Sequence, residues 1–184
     1  MDLAFCKDRL SSAGVSFDAG LTPDEFAAIE HEYGFRFPPD LREFLGYALP
    51  VSENWFDWRR DSRAEIMRGL EWPYEGICFD IEHNSFWLEL WGPKPTALAD
   101  AFSIARAAID AAPRLIPICG HRYLPDRPCE SGNPVFSVYQ TDIIHYGSDL
   151  YDFFCNEFGY FFGRASYAFD GRAQHIEFWS ELCD

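Results

Sequence analysis

Apolar residues recur at helical spacing over the first two thirds of the chain and gather into short β-type runs after Pro113. Between 22 and 33, Phe26, Ile29 and Tyr33 fall at i, i+3 and i+7, the spacing of one buried helix face. Thr22 and Glu25 form a Thr-x-x-Glu capping box, Pro23 suits the first helical position, and Gly34 supplies the stop. Asp24, Glu25, Glu30 and Glu32 are left outward. Pro38-Pro39-Asp40 predicts a second helix with Leu41, Phe44, Leu45 and Ala48 inward, ending before Pro50. Ser62-Arg63-Ala64-Glu65 is another capping box, leading to Ile66, Met67 and Leu70. A longer helix, about 96–112, turns Leu98, Ala101, Phe102, Ala105 and Ile109 inward and stops at Pro113.

Three β-type runs follow: 115–119, 135–139 and 143–146. The last two are separated by Gln140-Thr141-Asp142, short enough for a hairpin. Ser148 is placed to cap a helix over 149–158, with Leu150, Phe153, Phe154 and Phe158 inward and Gly159 after it. The tail ends in a predicted short helix with Ile176, Trp179 and Cys183 on one face. Helices first and strands later give an α+β layout rather than βαβ alternation. No linker or repeat divides the chain, so 1–184 reads as one domain.

Composition narrows the function. With 184 residues, 48% of them hydrophobic, the chain is neither disordered nor short of core. Its 30 acidic residues against 15 basic ones give a net charge of −15. Binding a phosphate backbone is driven by Lys and Arg displacing counterions, so the balance argues against nucleic acid as a direct ligand and for a basic partner. Lys7 and Lys94 are the only lysines beside 13 arginines, and arginine favours planar pairs with carboxylates over free positive surface. No stretch reaches the ~18 apolar residues of a membrane span, and Met1–Asp8 lacks the pattern of a secretory signal. Both point to the cytoplasm, where the six cysteines, none spaced Cys-x-x-Cys, are expected as reduced thiols.

The search for chemistry yields little. His31 has no second histidine at i+4, so the zinc-protease helix is absent. His175-x-Glu177 and Pro128-Cys129 share pieces of a deaminase signature, but Gly132 stands where its second cysteine belongs and the order is reversed. Cys119, His121 and Cys129 are three scattered potential zinc ligands without a fourth. Nucleophile elbow, phosphate-cradling loop and dinucleotide fingerprint are all missing, so no cofactor or metal is implied. Asp80, Glu82 and His83 remain as the catalytic candidates, two carboxylates and an imidazole within four residues.

The acids are patterned. Windows 18–32, 71–89 and 142–157 hold 14 carboxylates and no Lys or Arg, whereas 57–68 has four arginines. Solvated faces and a binding surface both fit that pattern. Trp55, Trp58, Trp72, Trp87 and Trp91 lie in or near the middle window; most such rings serve as core, and one left at the rim of an acidic patch would be an interface hot spot. The positions singled out for a protein partner are Glu71, Glu75, Asp80, Glu82, Trp87, Glu89, Trp91, Asp142 and Asp149.

Two separated motifs then resemble the SUKH superfamily, which groups Smi/Knr-type cell-wall regulators with bacterial toxin-immunity proteins. The first is Leu21-Thr22, Ile29-Glu30, Tyr33-Gly34 and Phe37-Pro38-x-Asp40-Leu41-x-x-Phe44-Leu45. The second runs from Gly132-Asn133-Pro134-Val135 through Tyr139-Gln140 to Asp142-Ile143-Ile144 and Tyr146-Gly147-x-Asp149-Leu150. Gly76-x-x-Phe79-Asp80, Phe86-Trp87 and Trp91-Gly92 between them look like a known variant. The resemblance covers about 20–158, leaving 1–19 and 159–184 outside it. Gly46-Tyr47-Ala48-Leu49-Pro50 departs from the Asn-Gly turn that many members carry after the equivalent of Phe44-Leu45.

What the resemblance implies is a central, mostly antiparallel sheet flanked by helices, no catalytic residues, and protein binding. The expected function is therefore a cytoplasmic immunity protein that neutralises a cognate toxin, often a nuclease in this family. A regulatory or scaffold module without a toxin partner is the alternative, and an enzyme using Asp80, Glu82 and His83 is the third.

Overall fold

The structure, a computed structural model, describes residues 1–169 and 171–183. In chain order it comprises α1 (Leu3–Ser12), β1 (Phe17–Ala19), α2 (Pro23–Tyr33), α3 (Pro39–Tyr47), β2 (Ala48–Pro50) and α4 (Arg63–His83). After a single 3-10 turn at Glu89–Trp91 come α5 (Leu98–Ala111), β3 (Leu115–Cys119), β4 (Arg122–Pro125), β5 (Val135–Tyr139), β6 (Asp142–Gly147), α6 (Leu150–Glu157) and α7 (Gly159–Phe162). Mixed helix and sheet agrees with the α+β expectation. The strands form two antiparallel sheets, a β1–β2 pair and a four-stranded meander in the order β3-β4-β5-β6. Among the described residues no helix is long and apolar enough to cross a membrane.

Local chemistry explains several boundaries. Both capping boxes form: the Thr22 and Ser62 hydroxyls accept from the Glu25 and Glu65 amides, while those carboxylates accept the Thr22 and Ser62 amides. Gly34 closes α2 at φ 71°, a left-handed value that costs glycine little. Other expectations are corrected. Ala48 leaves the helix to open β2, where it pairs with Ala19. Asp149 caps α6, its carboxylate accepting from the Asp152 amide at 2.7 Å, while Ser148 donates its own N–H and hydroxyl to Asp152. Leu98 is exposed at the start of α5. The tail from 174 to 183 forms turns instead of a helix, although it buries Ile176 and Trp179 as its periodicity implied.

Alternate residues of the four-stranded sheet enter different apolar clusters. Ile116, Ile118, Leu124 and Val135 join α1, α2, α3 and α6 side chains such as Leu10, Phe26, Phe44 and Phe153. Leu115, Tyr123, Phe136 and Val138 join Ile77 and Ile81 of α4, Ala101 and Ala105 of α5, and Ile176 and Trp179. The period of two along a strand thus places apolar packing on both faces of this sheet.

Helix α4 is the element that most shapes the surface described below. The sequence reading follows it only as far as Leu70, and Pro73, inside the helix, has no N–H to donate to the carbonyl four residues back. That carbonyl, on Gly69, instead accepts from the buried Tyr123 hydroxyl at 3.0 Å. Removing this donor by Tyr123→Phe strands a buried acceptor and is expected to cost about 1–3 kcal/mol in chemical denaturation; unchanged stability would show that the helix tolerates the gap unaided.

Candidate functional site

Along α4 the residues facing the sheet are small or anchoring. A Cβ added at Gly76 would meet Gln140 Cα at 2.7 Å, so the helix backbone lies against the β5–β6 turn only because glycine is there. One turn on, buried Asp80 accepts the Thr141 amide at 2.8 Å, the Thr141 hydroxyl at 2.6 Å and the Asn84 side-chain amide at 2.5 Å. Burial pushes the Asp80 carboxyl up, but these donors outweigh it and leave the group below its ordinary value. The pinned turn holds Gln140 at φ 58°, a region that side chains other than glycine's rarely occupy.

Beside that contact α4 carries Trp72, Glu75, Phe79 and Glu82 at steps of three and four, one exposed stripe along the rim of the hairpin. Trp72 is 37% exposed, Phe79 45% and Tyr139, from the end of β5, 55%. These rings are not loose. Trp72 Nε1 donates to the Val138 carbonyl at 3.1 Å, its ring lies 6.3 Å from that of Tyr139, and Phe79 packs on His83 at 4.4 Å between centroids. Trp72, Glu75, Gly76, Phe79, Tyr139 and Gln140 line a cavity of about 210 Å³. Asp142 stands directly opposite Tyr139 in the hairpin register and is exposed, so both side chains leave the same side of the hairpin.

The three acidic windows are far less uncompensated in space than along the chain. Asp18, Glu25, Glu30 and Glu32 pair with Arg60, Arg59, Arg42 and Arg63. Glu71 pairs with Arg106, Glu157 with Arg122, and Asp152 with Arg164. The Arg59 guanidinium and the Thr22 amide hold the Glu25 carboxyl down to about 2. Seven of the 14 carboxylates are thus matched by arginine, largely from the segment 57–68 for the first window. Among the described residues, Glu75 and Asp142 on the α4–hairpin face have no ion pair.

The remaining residues singled out from sequence are dispersed. Glu71 lines a separate cavity of about 470 Å³ with Tyr74, Arg106, Arg114 and Trp179. Trp87 and Trp91 are half-buried and pack edge-to-face on each other at 5.1 Å; Trp87 Nε1 donates to the Gly92 carbonyl, and Trp91 stacks on Phe178. They hold the 86–92 loop together, beside exposed Glu89. Asp149 is occupied as a helix cap. Asp80, Glu82 and His83 do not form a common centre: the Asp80 carboxylate faces Thr141 and Asn84, whereas Glu82 and His83 lie exposed, 3.7 Å apart. Neither cavity just described includes any of the three.

For metal chemistry, Cys119 and His121 share the lining of another cavity, while Cys129 is exposed elsewhere and donates weakly to the Phe37 carbonyl. Burial pushes the Cys119 thiol up to about 12, which opposes the thiolate that a metal needs. Among the described residues no group of three His, Cys, Asp or Glu side chains is placed to hold a metal ion.

Sequence reasoning therefore reached Glu75, Glu82 and Asp142 but not the three rings that shape the surface. Their signal was the helical phase: once Ile77 and Ile81 are taken as the inward continuation of Ile66 and Leu70, Trp72 and Phe79 must point out. The chain matches no protein-family model, no curated protein and no solved structure.

Proposed function

We propose that this chain is a non-catalytic protein-binding domain of the SUKH type, with the four-stranded sheet as its central layer, that acts in the cytoplasm as an immunity protein against a basic toxin. The observation that carries the reading is the α4–hairpin face. There Trp72, Phe79 and Tyr139 are exposed on a pinned scaffold, and Glu75 and Asp142 stand beside them without an ion pair among the described residues. Large aromatics held rigid at a surface supply contact area at low entropic cost, and aromatics dominate interface hot spots. Free carboxylates around them steer a basic partner and set its orientation. A nuclease toxin fits such a face because its phosphate-binding cleft is itself basic.

The test is co-expression with the toxin genes that neighbour the chain's own gene, with growth as readout. Wild-type chain is expected to restore growth against one of them, and Glu75→Lys combined with Phe79→Ala is expected to abolish rescue while leaving chain levels unchanged. Rescue by the double variant at wild-type strength would remove the α4–hairpin face from the reading.

A further inference from the structure

Resting on that reading, we propose that the cavity between Trp72, Phe79 and Tyr139 is an arginine pocket, receiving one guanidinium of the basic partner as the anchor of the interface. Its geometry follows from the helix. Trp72 and Phe79 are seven residues apart, about two turns or 10 Å along the axis, and form two walls. Gly76 lies between them, and the Gln140 backbone packs directly on it where a side chain would otherwise stand, so the two together form the base. Tyr139 closes a third side, leaving about 210 Å³, room for one side chain rather than a peptide segment.

The lining selects for charge and shape. Three aromatic rings border the cavity, and a cation seated over a ring face is attracted through the ring quadrupole, most strongly by tryptophan. Glu75 is the one charged group in the lining, and no Arg or Lys enters it to compete. A guanidinium suits this set better than an ammonium, because it stacks flat on a ring while its edge donates two parallel bonds to a carboxylate. Trp72 is already fixed by its bond to the Val138 carbonyl, so little ring motion remains to be frozen on binding. The same fold supplies an internal precedent: Arg106 lies over the Tyr74 ring at 3.5 Å while pairing with Glu71. There an arginine, an aromatic ring and a glutamate on α4 already meet in the arrangement inferred for the pocket.

The test uses the full chain, ¹⁵N-labelled, titrated by NMR with acetyl-Gly-Arg-Gly-amide and with the same peptide carrying citrulline or lysine. Citrulline keeps the shape of arginine and removes its charge. The arginine peptide is expected to shift the Trp72 indole and the Gly76 and Gln140 amides at millimolar concentration. The citrulline and lysine peptides should bind about fivefold more weakly, as should the arginine peptide to Phe79→Ala or Glu75→Gln. Both substituted positions are exposed, and an unchanged melting curve verifies each variant's fold. Equal binding of the citrulline or lysine peptide, or shifts that ignore both variants, would overturn the pocket. Toxin neutralisation is read separately by growth. A pocket that binds arginine in a chain that rescues against no toxin leaves this inference standing and removes the immunity function; rescue without arginine binding does the reverse.

Discussion

Replacing Trp179 with alanine is expected to destabilise the protein by about 3–5 kcal/mol, the usual range for truncating a fully buried aromatic. Trp179 is 1% exposed, packs in the second apolar cluster with Leu115, Tyr123 and Phe136, and donates its indole N–H to the Pro113 carbonyl at 2.6 Å. Truncation therefore removes apolar contacts and strands a buried carbonyl together. For a chain of this length the loss corresponds to a fall in melting temperature of roughly 10 °C. Trp179→Phe, which keeps most of the apolar volume and loses only the donor, should cost about 1–2 kcal/mol. Both values are read by thermal and chemical denaturation. If alanine costs no more than phenylalanine does, the tail is not part of the packed core.

The second large effect is expected at Asp80. Asp80→Ala removes the acceptor of the Thr141 amide and hydroxyl and of the Asn84 side chain, and should cost roughly 2–4 kcal/mol because charged acceptors are worth more than neutral ones. The loss should be centred on the hairpin, with faster amide exchange at Gln140, Thr141 and their neighbours. A pH dependence accompanies it. The folded Asp80 carboxyl lies below its ordinary value of 3.8 despite burial, so its contribution is complete above that value and is lost as pH falls through the lower folded one. Wild-type protein should lose more stability than Asp80→Ala over that acid interval. Parallel acid curves would show that the carboxylate contributes nothing through its charge.

These two residues also mark what local sequence can and cannot show. Helices α2, α3 and α6 and the β5–β6 hairpin were legible because their signals are local: a capping box, a Pro at the first turn, apolar steps of three and four, a short polar break between two β-type runs. The continuation of α4 past Pro73 was not, because the hydroxyl that satisfies Gly69 comes from Tyr123, 54 residues away. The charge pattern misled for the same reason. Arg59, Arg60 and Arg63 look like a separate basic block along the chain and in space are the counterions of Glu25, Asp18 and Glu32. Asp80 read as a candidate for chemistry or binding, and only the fold reveals that its partners are Thr141 and Asn84. The tryptophans divide similarly: Trp87 and Trp91 fasten a loop, and Trp72, indistinguishable from them by composition, is the one on the solvent stripe.

The α4–hairpin face makes a demand that the charge of −15 alone does not. If partner binding depended only on the overall field, any surface charge reversal would weaken it similarly and salt would abolish the differences. If it depends on this face, position matters more than charge. The most direct measurement is the affinity of the purified chain for the toxin selected by the growth-rescue assay, by calorimetry at two salt concentrations, comparing Phe79→Ala and Glu75→Lys with Glu43→Lys on α3. The face predicts a loss of about 30-fold or more for each of the first two, as for hot-spot residues, with near wild-type affinity for the third and weaker binding in high salt throughout. Equal affinities for all three variants would contradict it.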